Sequence, residues 1–519
     1  MMSSTFHGLE VAKRGLFTQQ SALYTTGHNI SNANTEGYTR QRVNFEQTGP
    51  YPPASRNRPQ IPGQVGSGVR AGSIERVRVE YLDHQFRGES SKSGYYDTRA
   101  DALGRLETVM NEPSDDGLAK TIDRFWESLQ DLSVNPEDSG ARSVVRQRGE
   151  AVAETFNYLS HTLKTQQKDI KGETNVTVKE INSLAGQMKR LNQQIAEVEP
   201  HGMVPNDLYD ERDRLIDQLS EHIQVEVNYE DTPSSADALA MGKASISIVG
   251  KDGKPLEPVA LLVDGAANVV NKMSVHYEKE GPLANSIQLG EDASYSIEEF
   301  SSQGKLKGLI ESGGYVEGDE QKGTYQQMLL DLDRMATGFA TSFNEVHKQG
   351  ESLNTISGKR DGVPNFFDLG TNDMERGEVV VGLAGSLKLS DDIKTDGDNI
   401  AAAVLDQVGN SENAQKLSEV QNNSNGDYFG EQTSLTSFYE SMIGTMAVET
   451  QEAERMSRNA GTLKGSVDEQ RQSVSSVSLD EEMANMIKYQ HAYNAAARNI
   501  TAVDEMLDKI INQMGRVGR

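Results

Sequence analysis

Leu479-Asp480-Glu481-Glu482-Met483-Ala484-Asn485-Met486-Ile487 opens the stretch 479–519, and the pattern it starts sets the architecture. From it, Leu479, Met486, Tyr493, Ile500, Leu507 and Met514 recur every seven residues, with Tyr489, Ala496, Val503 and Ile510 three positions beyond. Residues three and seven apart share one helix face, so this stretch is a helix with a narrow apolar seam. The N-terminal end carries the same device in Leu9, Leu16, Leu23 and Ile30. Neither helix can bury its own seam. Laying the first helix against the last, and such pairs against copies of themselves, hides both.

The N-terminal helix is weak by itself, because Gly8, Gly15 and Gly27 each cost about 1 kcal/mol relative to alanine. Gly8, Gly15 and Ala22 also form a small-residue stripe that would let a partner helix approach closely. The turn formers Asn32 to Gly37 end the helix. Pro50, Pro52, Pro53, Pro59 and Pro62 make 49–63 an extended linker. Residues 66–85 read as strand, and helical periodicity is expected from about 93 to 225. Within that block Leu118, Ile122, Phe125, Trp126, Leu129 and Leu132 share one helix, and a rod runs from Ser139 to Val198. The period then switches to two, as in Ala244-Ser245-Ile246-Ser247-Ile248, with a hairpin signal at Asp252-Gly253.

The fold class expected is therefore mainly α with an inserted small β domain, elongated, its terminal helices paired as a coiled coil. Residues 1–60 with 478–519 would form an inner terminal domain, 61–225 with 303–477 a helical rod-like domain, and 226–302 the β insertion. Helices are expected at 304–348, 398–422 and 433–472, and 350–397 reads as irregular.

Composition narrows the chemistry. The 519 residues leave room for three or four domains of about 150 residues each. With no cysteine, disulfides, thiol catalysis and thiolate metal sites are excluded. The net charge of −27 argues against nucleic acid or an anionic membrane as main partner. That charge is uneven: residues 1–88 carry +4 and residues 480–519 carry −1, so the middle carries −30. Near-neutral ends can crowd together at little Coulomb cost. No stretch approaches the roughly 18 apolar residues of a membrane span, and the first thirty residues lack a signal-peptide core. Taken alone, that reads as cytoplasmic.

No catalytic or cofactor motif appears. The nine histidines form no HExxH, and no GxGxxG, Walker A sequence or GxSxG is present. Thr395-Asp396-Gly397-Asp398-Asn399 lacks the ligand alternation of a calcium loop and reads as a turn before a helix. Asp207, Asp210, Glu211 and Asp213 alternate with Arg212 and Arg214, so helix capping and local ion pairing explain them. No metal, cofactor or catalytic residue is expected.

Asn32-Ala33-Asn34-Thr35-Glu36-Gly37-Tyr38-Thr39-Arg40-Gln41 resembles the N-terminal signature of the flagellar rod, hook and hook-associated axial proteins. The Leu479–Ile487 run, with Tyr489-Gln490 and Ala492-Tyr493, is similar to their C-terminal signature. Tyr38, where rod and hook proteins usually have phenylalanine, resembles the members at the hook–filament junction. Asn206-Asp207-Leu208-Tyr209-Asp210-Glu211-Arg212-Asp213 and Phe125-Trp126 look like motifs of those same members. Within the signature, Asn34, Thr35, Gly37, Tyr38, Arg40 and Gln41 carry the match.

The resemblance implies a structural subunit, secreted unfolded through the flagellar type III export apparatus without a cleaved signal peptide. That overturns the cytoplasmic reading. It implies a ring of copies between hook protein and the next hook-associated junction protein, with an export chaperone on about 479–519. Neither nucleic acid nor membrane is an expected partner. A hook or distal rod subunit is the alternative, disfavoured by Tyr38 and the long helices. A filament protein, an axial protein with an enzymatic insertion and an unrelated coiled-coil scaffold fit less well.

Overall fold

In the computed structural model, residues 5–52, 55–56, 63–110, 117–231, 235–279, 281–291, 293–370, 377–404 and 407–513 are described. Met514 and much of the proline stretch 49–63 lie outside them.

Helix α1 (Thr5–Ser31) leads into an antiparallel pair, β1 (Gln41–Gln47) and β2 (Val69–Arg76), bulged between Asn44 and Phe45. The strand expected through residue 85 stops at Arg76, and α2 (Glu80–Met110) starts well before residue 93. Glu80 and Asp83 in its first turn favour that early start, because carboxylates complement the positive end of the helix dipole. Next come α3 (Leu118–Val134) and α4 (Ser139–Val198), an unbroken helix of 60 residues capped by the Asp138 side chain on Gly140 N and Ala141 N. Helix α5 (Asn206–His222) turns the chain into the β unit.

That unit holds two sheets. Strands β3 (Val225–Glu230), β4 (Lys243–Val249), β5 (Pro255–Asp264) and β6 (Val269–Val270) pair in sequence order. In the second sheet β7 (Met273–Tyr277) pairs with β8 (Ala284–Leu289), which also takes β9 (Ala293–Ser296). After α6 (Lys305–Gly313), the hairpin of β10 (Tyr315–Glu317) and β11 (Glu320–Lys322) joins that sheet through Tyr315 beside Ala284. The β unit thus draws in chain beyond residue 302.

Helix α7 (Thr324–Lys348) follows. The stretch 350–403 holds short pairings, Glu351–Ser352 with Ala401–Ala403 and Phe367–Asp368 with Lys388–Leu389. The helix expected over 398–422 is reduced to α8 (Glu412–Glu419) and a 3-10 turn, because Ala401–Ala403 is recruited as strand. Helices α9 (Leu435–Ser475) and α10 (Leu479–Asp508) complete the described chain, with a π-helical turn at Lys509–Gln513.

Two cores hold this together. The larger gathers α2, α3, α7, α8, α9 and the first half of α4 around Phe125, Trp126, Phe339, Phe343, Phe366 and Phe367. The Phe125 ring centroid lies 5.2 Å from Phe343 and 5.8 Å from Phe366, within the range of favourable aromatic contact. The second core seats the two sheets on the far half of α4, through Val178, Ile181, Ala185 and Met188, and on α5 and α6. Helix α9 returns along α2, and α10 returns along α1. Both ends of the chain therefore meet.

Candidate assembly interface

The terminal pair is antiparallel. A Cβ built on Gly8 would sit 4.0 Å from Val503, while Asn29 at the other end of α1 bonds Glu482 at the start of α10. Leu9, Leu16, Leu23 and Ile30 are half-buried, as are Met486, Tyr493, Ile500 and Leu507. Leu479 is 47% exposed. The deepest face of α1 is a different one: Ala12, Thr18, Ala22, Thr25, Thr26 and Asn29 are buried. Of the small-residue stripe only Ala22 belongs to that face: Gly8 is exposed, and nothing lies within 4 Å of where a Cβ on Gly15 would stand. Phe6, Phe17 and Tyr24 on α1, and Met483, Ile487, Met506 and Ile510 on or just after α10, stay exposed. One chain alone leaves a second apolar face in water.

Where these helices meet the rod, the three sequence signatures converge. Arg40 Nε donates to Glu482 Oε1 at 2.8 Å and its Nη1 to Glu481 Oε2 at 2.7 Å, joining the N-terminal signature to the C-terminal one. Thr39 N donates to Asp210 Oδ2 at 3.0 Å, and Gln41 Nε2 to Asp207 Oδ1 at 3.0 Å, joining it to the motif on α5. Asn29 accepts from Tyr38 OH at 2.7 Å and Gln41 N at 3.0 Å. Its Nδ2 donates to Gln41 O at 2.8 Å and Glu482 Oε2 at 3.2 Å, so all its hydrogen-bonding capacity is used. Burial, with Asp207 nearby, pushes the Tyr38 phenol up, so it remains a donor. Asn34 and Thr35 are exposed on the turn. Gly37 has φ +79° there, with the Arg214 side chain 3.3 Å from where a Cβ would stand. A side chain would be strained by the backbone and crowded by the arginine.

Beneath this lies a buried ion-pair cluster. Asp213 takes Arg76 at 2.8 Å, Arg78 at 3.1 Å and Arg87 at 3.2 Å. Asp210 takes Arg76 at 2.9 Å, and Asp217 takes Arg87 at 2.8 Å and Arg471 at 2.5 Å. Burial pushes the Asp213 carboxyl up, but Arg78, Arg76 and Arg87 more than reverse this and hold it far below the usual range. For Asp210 burial wins, and its carboxyl is raised despite Arg76. The expectation that this acidic run pairs locally holds only for Glu211 with Arg214. Arg212 instead points into the β unit, between the rings of Tyr209 and Tyr229, donating to Gly242 O at 2.7 Å. Period 3.6 turns Asp210 and Asp213 to one face of α5, toward β2 and α2, and Arg212 to another. The arginines that answer them lie at positions 76, 78 and 87, over a hundred residues away in sequence, so local spacing could not reveal them.

Among the described residues no group of three or more His, Asp or Glu is placed to hold a metal ion, and no helix is long and apolar enough to cross a membrane.

Both ends match models of flagellar axial proteins. Residues 9–39 match "Flagella basal body rod protein", and 469–514 match "Flagellar basal body rod FlgEFG protein C-terminal". The interior, 103–362, matches "Flagellar hook-associated protein FlgK helical domain". The flagellar hook-associated protein 1 of Bacillus subtilis (strain 168) is 46% identical over 520 aligned residues, covering all of both chains. That of Escherichia coli (strain K12) is 25% identical, covering 96% of this chain and 98% of its own. The class is thus the axial proteins of the bacterial flagellum. Within it, the chain belongs to the flagellar hook-associated protein 1 family. The solved hook junction protein FlgK of Burkholderia pseudomallei shares its fold, with a TM-score of 0.57 at 14% identity over 76% of this chain and all of that one.

Proposed function

We propose that this chain is the structural subunit joining hook to filament in the bacterial flagellum, needed for filament assembly. The observation that carries the reading is the full-length 46% identity to a hook-associated protein 1. The paired terminal helices, with large apolar side chains left outward, support it. Copies packing laterally and longitudinally through Leu9, Leu16, Leu23, Ile30 and the Leu479 to Met514 series would form a ring. Each large apolar side chain buried there contributes about 1.5–3 kcal/mol, against about 1–2 kcal/mol per residue for ordering backbone. Ordering of the ends is then favourable only among correct neighbours.

In this reading 1–60 with 478–519 form the inner layer, disordered in the free monomer. Residues 61–225 with 303–477 form the rod-like layer and 226–302 the outer β domain. The stretches 33–65 and 350–397 contact neighbouring subunits. Hook protein lies on one side and the next hook-associated junction protein on the other. The chain leaves the cell through the type III export apparatus without a cleaved signal peptide. An export chaperone covers the C-terminal seam beforehand, and the acidic middle of the chain limits stray association. Function resides in interfaces, with no substrate turned over.

Deleting the gene tests this. Flagellin lost to the medium from cells bearing bare hooks is the expected result. Missing hooks would make the chain a rod or hook subunit, and normal filaments without a duplicate gene would overturn the reading.

A further inference from the structure

Regular heptads leave one problem unsolved. On α1, Gly8, Gly15, Ala22 and Asn29 form one column spaced by seven. Gly8 lies beside Val503 and Asn29 bonds Glu482, so both helices advance 21 residues between these contacts and keep step over three heptads. Sliding α10 by one heptad along α1 would again set apolar residues on apolar ones, since Leu9, Leu16, Leu23 and Ile30 repeat as regularly as their partners. The apolar pattern alone does not select one alignment.

The fourth rung is polar. Glu482 is 2% exposed and is the sole buried residue among those described on α10. Its carboxylate takes Asn29 Nδ2 and the Arg40 guanidinium. Arg40 cannot follow a sliding helix, because its own backbone is fixed to the rod: its O accepts from Val77 N at 2.8 Å, and the adjoining Thr39 N donates to Asp210 Oδ2 at 3.0 Å. A slide in one direction sets Glu482 beside Ala22, a buried carboxylate with no donor. The opposite slide sets Asn29 beside Tyr489 and carries Glu482 past the end of α1. Either leaves buried polar groups unpaired, which is strongly unfavourable.

We infer that Asn29, Arg40 and Glu482 form a register key that selects one heptad alignment of the terminal helices and references it to the rod. This goes beyond the junction role and does not depend on it.

The chain contains no cysteine, so introduced pairs are the only thiols. In the full-length chain, held at protein concentrations and solvent conditions where circular dichroism shows the terminal helices formed, Gly8→Cys with Val503→Cys reports the observed alignment. Gly8→Cys with Ala496→Cys or with Ile510→Cys reports the two slides. After oxidation, only the first pair should give an intramolecular disulfide. Adding Glu482→Leu should raise the slid disulfides to yields comparable with the first while helix content by circular dichroism is kept. Glu482→Gln, which still accepts hydrogen bonds, should restore exclusivity. Slid pairs that stay silent in Glu482→Leu would overturn the key. So would slid pairs that form readily without it, or loss of all three disulfides in Glu482→Leu, which would make the residue a stabiliser rather than a selector. Failure of the first pair in the otherwise unaltered chain would overturn it too. Flagellin leakage is not read in any arm, so failure here leaves the junction reading standing.

Discussion

Asp213 Oδ2 accepts from Arg76 Nη1 at 2.8 Å, tying α5 to the last residue of β2 across 137 residues of sequence. Asp213→Asn keeps the shape but leaves Arg76, Arg78 and Arg87 buried with less counter-charge. Loss of one partner from a buried pair costs about 3–5 kcal/mol. Urea unfolding should show that loss. A change under about 1 kcal/mol would mean the arginines find other partners. Because Asp213 is held below its ordinary range, its contribution is complete above about pH 4 and fades as pH falls further.

His347 gives a second, separate acid response. It is wholly buried, with Nδ1 3.0 Å from Pro364 O and Nε2 accepting from Ala401 N at 3.0 Å, so it is neutral when folded. Burial lowers its pKa to about 4. Unfolded histidine, near pKa 6.5, binds the proton first, so stability should decline as pH falls from about 6.5 to about 4. The slope should approach about 1.4 kcal/mol per pH unit. His347→Gln should flatten it over that window, as read by denaturant midpoints at stepped pH.

Trp126, the only tryptophan, sits 2% exposed in the larger core. Its emission should be blue-shifted in the native chain and move red only when the helical core opens. Phe125→Ala, which removes a ring packed against Phe343 and Phe366, should cost about 3–5 kcal/mol by that same signal.

Replacing Ile500 and Leu507 together with glutamate should abolish assembly and leave the Trp126 transition unchanged. Sedimentation reads the first and fluorescence the second. A lowered Trp126 transition would show that α10 supports the helical core.

Long periodic elements were legible in the sequence. The long helical run from Ser139 to Val198 and the turn from α to β near residue 223 follow from apolar spacing, although spacing alone left room for a few breaks in a helix that proves continuous. So does the pairing of the two ends, since each seam needed a cover. Less legible was whatever depends on distant partners. Asp210 and Asp213 showed no sign of Arg76, Arg78 or Arg87, because charge pairing across a fold leaves no local period. Ala401–Ala403 read as helix because alanine favours it, and pairing with Glu351–Ser352 overrode that preference. Glu482 carries no local sign of its partners, because Asn29 and Arg40 lie 453 and 442 residues away in sequence.

Helix α4 belongs to both cores, its first half among the phenylalanines and its second beneath the sheets. At 1.5 Å per residue its 60 residues span about 90 Å. A shaft held at both ends resists a sharp kink at the boundary between the cores, because a kink there would break its own hydrogen-bond ladder. Torque applied to the β unit would therefore pass to the helical body as rotation of a stiff spoke, with no slack at a hinge.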